Sequence, residues 1–132
     1  MLTDDDVIFL SGPMSGIEDY NYPAFNQAAK TLREKGFLVL NPAEHVSNPD
    51  APWNELIRRS LDVLNQANKM VVLPGWENSR GSVTEVTMAN IVGIPIFEYP
   101  SLESLSTQTM LSTCEGELLQ YSGMAGILTT TK

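Results

Sequence analysis

The chain has 132 residues, a length that suits one domain built around one core. A formal net charge of −8 argues against a partner made of polymeric nucleic acid, which calls for a basic surface to displace counterions. A single nucleotide stays open as a ligand, because amides at a helix N-terminus hold one phosphate without a basic patch. The single cysteine, Cys114, excludes an intrachain disulfide. His45 stands alone and no Cys-x-x-Cys occurs, so neither a metal nor another cofactor is expected. No charged-then-apolar leader opens the chain, and no apolar run approaches the ~18 residues of a membrane span. A cytoplasmic protein without a membrane partner is the expectation.

After a polar lead-in, Asp4-Asp5-Asp6, the continuous apolar run Val7-Ile8-Phe9-Leu10 ends at Gly12-Pro13 and reads as a buried parallel strand. Pro23 sits where a helix begins. Phe25, Ala28, Ala29 and Leu32 then share one helical face, and Lys35-Gly36 closes the helix. Phe37-Leu38-Val39-Leu40 is a second strand. A polar loop, Asn41 to Pro52, contains Pro42, Pro49 and Pro52. Trp53 to about Ala67 reads as helix, with Trp53, Leu56, Ile57, Leu61 and Leu64 on one face. Met70-Val71-Val72-Leu73 is a third strand, stopped by Pro74-Gly75, and Ser82 to about Val92 is a third helix ended by Gly93. Ile94-Pro95-Ile96-Phe97 is a fourth strand. Its Pro95 lacks a ladder donor, which places it on a sheet edge or at the strand's start. The tail, residues 101–132, differs in composition: it is rich in Ser and Thr, with a short helix expected over Leu102 to Leu111 and a last strand at Gly126-Ile127-Leu128.

Strands alternating with helices predict a parallel sheet covered on both faces. The expected fold is therefore α/β: a single-domain, three-layer α/β/α arrangement with a flavodoxin- or Rossmann-like sheet of four to five strands. In such sheets ligands bind beyond the C-terminal strand ends, at the switch point of strand order. The loops after the first and third strands are where chemistry is to be sought.

The first loop is Ser11-Gly12-Pro13-Met14-Ser15-Gly16. Its glycines either let a ligand approach the backbone or make a tight turn. It is not a dinucleotide fingerprint, and the Lys-Ser/Thr of a P-loop is absent. The second is Pro74-Gly75-Trp76-Glu77-Asn78-Ser79-Arg80-Gly81, leading into the third helix. A helix N-terminus after such a loop attracts anions. Ser79 offers a hydroxyl, Gly81 an accessible amide, and Arg80 a guanidinium fork. Glu85, in the first turn of that helix, has two local readings. It completes a capping box, Ser82-x-x-Glu85, with Ser82 as N-cap, or it is a carboxylate presented to the site. Tyr20 and Tyr22 are candidates to stack on a base. Phe25, in helical register, reads as core.

Taken together, Ile8 to Gly16, Asp19 to Asn26, Asn41-Pro42-Ala43-Glu44, and Leu73 to Gly81 followed by Glu85 resemble the nucleoside 2-deoxyribosyltransferase superfamily, in a small bacterial and phage-associated branch. The resemblance runs from about Val7 to Phe97 and leaves the tail uncovered, so residues 1–132 are read as one deoxyribosyltransferase-like domain with a divergent C-terminal tail at 101–132. It implies that Glu85 is a nucleophile at the anomeric carbon of a (deoxy)ribosyl group. By similarity to the nucleoside 5′-monophosphate N-glycosidases, Ser79 and Gly81, six and four residues before that Glu, hold a 5′-phosphate. Gly12, Pro13, Met14, Ser15 and Gly16 face phosphate and sugar, with Tyr22 and Arg80 as further binding residues. The implied function is a nucleotide N-glycosidase or deoxyribosyltransferase in a homo-oligomer, a dimer or larger. The alternative is a nucleotide-binding module of the same fold that senses or sequesters without cleaving. The sequence departs from the family at two places. An Asp usual near the start of the third strand is here Asn68, taken as the second candidate catalytic residue, and a further Asp is replaced by Ser60. Asp19, Glu44, Asp62 and Glu77 are the other acids considered.

Overall fold

β1 (Val7–Ser11) forms where five residues of high strand propensity meet a Gly-Pro stop, and it lies at the centre of everything that follows. The computed structural model describes residues 2–45, 48–106 and 109. Along these, β1 is followed by α1 (Tyr22–Glu34), β2 (Leu38–Leu40), α2 (Trp53–Leu64), β3 (Lys69–Val72), α3 (Arg80–Val92) and β4 (Ile96–Glu98). Single 3-10 turns stand at Glu18–Asn21, Pro42–Glu44 and Trp76–Asn78. All strands pair in parallel, in the order β2-β1-β3-β4. The chain thus steps outward from β1 to β2, then crosses back to β3 and continues to β4. Crossovers of one hand place α1 on one face and α2 with α3 on the other, which is the expected three-layer α/β/α fold.

Two apolar clusters mark the two faces. Ile8, Leu10 and Val71 pack with Phe25, Ala28, Ala29 and Leu32 of α1. Phe9, Met70 and Val72 pack with Leu64 of α2 and with Val86 and Ala89 of α3. The alternation of Ile8 and Leu10 against Phe9 follows the period of two of a strand. It directs Ser11, the last residue of β1, to the same side as Phe9, toward α2 and α3. Trp76 is buried in this second cluster, so it packs the loop beneath α3. No helix among the described residues is long and apolar enough to cross a membrane.

Element ends differ from the sequence reading in physically explicable ways. α2 stops at Leu64, because the Ala67 amide turns back to the Leu64 carbonyl at 2.9 Å and Asn68 is drawn onto β1, its amide donating to the Val7 carbonyl at 3.0 Å. β4 begins at Ile96, with Pro95 just outside it, and occupies the edge, as a proline without a donor requires. The expected helix from Leu102 does not form over residues 102–106. That segment turns back instead, with Ser104 bridging antiparallel to Phe97 and the Leu105 amide donating to the Ile96 carbonyl at 2.8 Å. Leu105, buried on the α2/α3 face, drives the return. Apart from residue 109, the remainder of that expected helix, Cys114 and the expected strand at 126–128 lie outside the described residues.

Gly12 shows how closely β1 and β3 must run. A Cβ on Gly12 would stand 2.9 Å from the Leu73 Cβ, inside contact distance. Gly12→Ala is expected to lower stability by about 1–3 kcal/mol, the range for overpacking a core, and urea unfolding measures it. Gly81→Ala, whose Cβ would meet the Trp53 Nε1 at an ordinary 3.8 Å, is expected to unfold like the parent protein.

Candidate functional site

A pocket opens beyond the C-terminal ends of β1 and β3, at the switch point of strand order. The first loop contributes Gly12, Met14 and Ser15, the turn before α1 contributes Tyr20, and α1 itself contributes Tyr22 and Phe25. Trp53, Leu56, Ile57 and Ser60 come from α2, while Ser79, Gly81, Ser82 and Glu85 come from the start of α3. Space open to the centres of water molecules amounts to about 100 Å³. One water needs ~10–15 Å³ on that measure, so the pocket takes a molecule of several heavy atoms.

Glu85 is 7 % exposed. It does not cap the helix. The helix begins at Arg80, its N-cap is Ser79, and the Ser79 hydroxyl accepts the Ser82 amide at 3.2 Å. The capping box expected of Ser82 and Glu85 is therefore replaced by a cap three residues earlier, and Glu85 stands in the second turn. Ser82 and Glu85, three apart, share the helix face turned to the sheet. Ser11 meets both: its Oγ lies 2.6 Å from the Ser82 Oγ and donates to the Glu85 Oε1 at 2.6 Å. Ser60, on α2, adds a second hydroxyl hydrogen bond to the carboxyl. Burial pushes the Glu85 carboxyl up from its ordinary 4.5 to about 7, and the bonds from Ser11 and Ser60 pull against that rise.

Most of the sequence-derived candidates converge on this cleft. Gly12, Met14, Ser15, Tyr22, Ser79, Gly81 and Glu85 line the pocket itself. Pro13 and Arg80 line an outer hollow that shares Ser15, Trp53, Ser79 and Gly81 with it. The Arg80 guanidinium carbon sits 3.7 Å from the centroid of the Trp53 ring, a cation–π contact that holds the charge at the rim. Gly16 lines neither hollow. It is exposed, with φ of +79°, and serves the turn.

Asn68 is not brought to the site. It precedes β3, whereas Glu85 faces the other end of the sheet, and four residues of strand separate the two levels by ~13 Å. The Asn68 side chain instead accepts the Val7 amide at 2.7 Å and donates to the Asp6 Oδ1 at 3.1 Å. Lys69 bonds the same oxygen at 2.8 Å, and this bond comes first among those holding the Asp6 carboxyl below its ordinary value. The pairing of Asn68 with Glu85 is corrected accordingly: Asn68 ties β3 to the start of β1. None of Asp19, Glu44, Asp62 and Glu77 lines the pocket either, and Glu44 is bound to Arg33 at 2.8 Å. What sequence reasoning missed is the set of hydroxyls, Ser11, Ser60 and Ser82, that surrounds the carboxyl. The phase of β1 is the signal that points to Ser11, since it falls on the buried face with Phe9.

One further feature shapes the mouth. Asp19, Tyr20 and Asn21 are consecutively left-handed, with φ of 54°, 53° and 61°. The Asn21 side chain donates to the Pro13 carbonyl at 2.9 Å, and the Tyr20 hydroxyl donates to the Asp50 Oδ1 at 2.7 Å. The Tyr20 and Tyr22 rings stand 5.6 Å apart, tilted by 36°.

Two measurements test this geometry. Between about pH 4.5 and 7 the folded protein keeps a proton on Glu85 that the unfolded chain has lost, so this group makes stability fall as pH rises through that window. Ionising a carboxyl moved from 4.5 to about 7 costs roughly 3 kcal/mol. Glu85→Gln is expected to gain up to that amount over the parent between pH 4 and pH 8, as read by urea unfolding. Asn68→Asp turns a donor to Asp6 into a second acceptor. It is expected to cost on the order of 1 kcal/mol and to leave the Glu85 titration, followed by carboxyl NMR, unmoved.

Residues 6–98 match the family described as Domain of unknown function (DUF4406). No curated protein matches the chain. Among solved structures, a 2-deoxyribosyltransferase from the psychrotolerant bacterium Bacillus psychrosaccharolyticus superposes with a TM-score of 0.59 at 16 % identity, over 81 % of each chain. A conserved protein from Enterococcus faecalis V583 superposes with a TM-score of 0.55 at 21 % identity, over 70 % of this chain and 62 % of that one. At these identities the likeness is one of fold, and the fold is that of the deoxyribosyltransferase.

Proposed function

The chain belongs to the DUF4406 family, and we propose that it is a nucleotide N-glycosidase or deoxyribosyltransferase, cleaving the N-glycosidic bond of a (deoxy)nucleoside 5′-monophosphate with Glu85 as nucleophile. The observation that carries this reading is a buried carboxylate, bonded to hydroxyls, that shares one pocket with the N-terminus of α3. A fold shared with a 2-deoxyribosyltransferase supports it.

In this reading a Glu85 oxygen attacks the anomeric carbon as the bond to the base breaks, and the electron pair leaves with the base nitrogen. The base takes a proton from solvent. Water, or a second base, then attacks the anomeric carbon, breaks the glycosyl ester and frees the carboxylate. The 5′-phosphate lies against the first turn of α3, where the amides of Arg80 and Gly81 have no helical partner. Ser79 caps the helix by accepting, so its proton remains to be donated to a phosphate oxygen. Arg80, stacked on Trp53, faces the phosphate from the rim, and Tyr22 flanks the sugar and base with Met14 and Ser15.

A second reading, a nucleotide-binding module that senses or sequesters without cleaving, draws on a specific observation: among the described residues, Glu85 is the one carboxylate lining the pocket. Incubation with a panel of nucleoside 5′-monophosphates, monitored for free base, separates the two. Base release that is lost in Glu85→Ala is expected. Release that survives Glu85→Ala removes the nucleophile, and thermal stabilisation by a nucleotide without release favours the binding module. Because attack needs the ionised carboxyl, kcat/KM is expected to fall about tenfold for each pH unit below about 7. Gly81→Ala, which adds a methyl group where the phosphate would lie, is expected to raise KM for the monophosphate about tenfold and to spare binding of the free nucleoside.

A further inference from the structure

We infer that Ser11, backed by Ser82, is a positioning residue for Glu85, fixing the Oε1 of the carboxyl in both of its protonation states. The inference rests on the proposed function for its catalytic meaning and on the buried geometry for its physical content. Ser11 ends β1 on the face that Phe9 gives to the core, and it is fully buried there. An aliphatic side chain would satisfy that position, whereas a hydroxyl is unfavourable unless bonded. Its bonds are two, each of 2.6 Å, to the Glu85 Oε1 and to the Ser82 Oγ. Helix capping does not account for Ser82, because Ser79 already caps its amide.

A serine hydroxyl carries one proton and can also accept. When Glu85 is ionised, Ser11 gives its proton to Oε1 and accepts from Ser82. When Glu85 is protonated on that oxygen, the chain reverses: the carboxyl donates to Ser11, and Ser11 donates to Ser82. Ser11 itself is bonded on both sides in either direction. A lysine or a backbone amide in the place of Ser11 would serve the ionised form alone. Among the described residues, the other titratable side chains lining the pocket are the phenols of Tyr20 and Tyr22, and Arg80 stands in the outer hollow on Trp53. No cation lining the pocket therefore does the work assigned to the hydroxyls.

The test is the carboxyl titration of Glu85 by NMR on ¹³C-glutamate-labelled full-length protein, its signal assigned by disappearance in Glu85→Gln. Ser11→Ala is expected to raise the midpoint by about one pH unit, since the charge-assisted bond lost by the ionised form is stronger than the neutral bond lost by the protonated form. Ser82→Ala weakens both states alike and is expected to move it by less than about a third of that. Ser11→Cys, which keeps a weak donor of similar size, is expected to fall between the parent and Ser11→Ala. If Ser11→Ala folds and its midpoint matches the parent, the inference is overturned. If Ser11→Ala does not fold, Ser11→Cys decides, and an unmoved midpoint there overturns it equally. The acid limb of kcat/KM is expected to follow each midpoint. A parent protein that releases no base from any nucleotide defeats the proposed function, and the titration still decides the role of Ser11.

Discussion

Withdrawing a carboxylate from water with no cation at its side is costly, and a protein relieves the cost by protonation or by supplying donors. The pocket of this chain is organised around that problem. Glu85 is surrounded by apolar walls from α2 and by three serines from three elements, and its carboxyl is held near neutrality. A salt bridge would have fixed the charge and lowered its basicity. Hydroxyls do neither completely, so the group stays poised to lose and regain a proton close to physiological pH, a poise suited to a nucleophile that must be ionised before attack and freed after it.

The sheet supplies the precision. β1 is flanked by β2 and β3, so its position is set from both sides by the ladder. The close approach of Gly12 to Leu73 keeps the ends of β1 and β3 level, which places Ser11 under α3 and the loop of Pro13 beside that of Gly75. Side chains mounted on a central strand and on the buried face of a helix have little freedom to wander. The first turn of α3 belongs to the same helix as Glu85, so the distance between its free amides and the carboxyl is fixed by helix geometry rather than by a loop.

Fold class was legible because its signals are periodic. Ile8 to Leu10 and Met70 to Val72 are unbroken apolar runs, Phe25 to Leu32 keeps a helical stripe, and Gly36 and Gly93 end α1 and α3 with φ of +100° and +84°. The site was legible in part. Loop composition led to Ser79, Gly81 and Glu85, yet the capping pattern at Ser82 misassigned the helix start, because Ser79 offers an equivalent cap one turn earlier. The search for an acidic companion led to Asn68, which belongs to the opposite end of the sheet. Family likeness gives the type of residue expected near a strand's start, whereas the pocket depends on which strand end α3 covers. Ser11 stands in the sequence only as the start of the first loop and Ser60 only as the place of a replaced Asp, and their approach to the carboxyl escaped notice because a serine in a sequence carries no mark of burial. Leu102 to Ser106 escaped because the contact that shapes it, Leu105 on the α2/α3 cluster, is tertiary.

The left-handed turn at Asp19, Tyr20 and Asn21 bears on how this fold can change over time. That conformation costs a residue such as Tyr20 on the order of 1–2 kcal/mol, costs Asp and Asn less because their short polar side chains bond locally, and spares glycine. Three such residues in succession, one with its phenol on Asp50 and its ring at the pocket mouth, keep side chains where the backbone alone would favour glycine. Thermal robustness and a tyrosine ring at the pocket mouth therefore set opposite demands on this segment. A lineage in which the mouth no longer needed that ring would be free to drift toward glycine here and become sturdier for it.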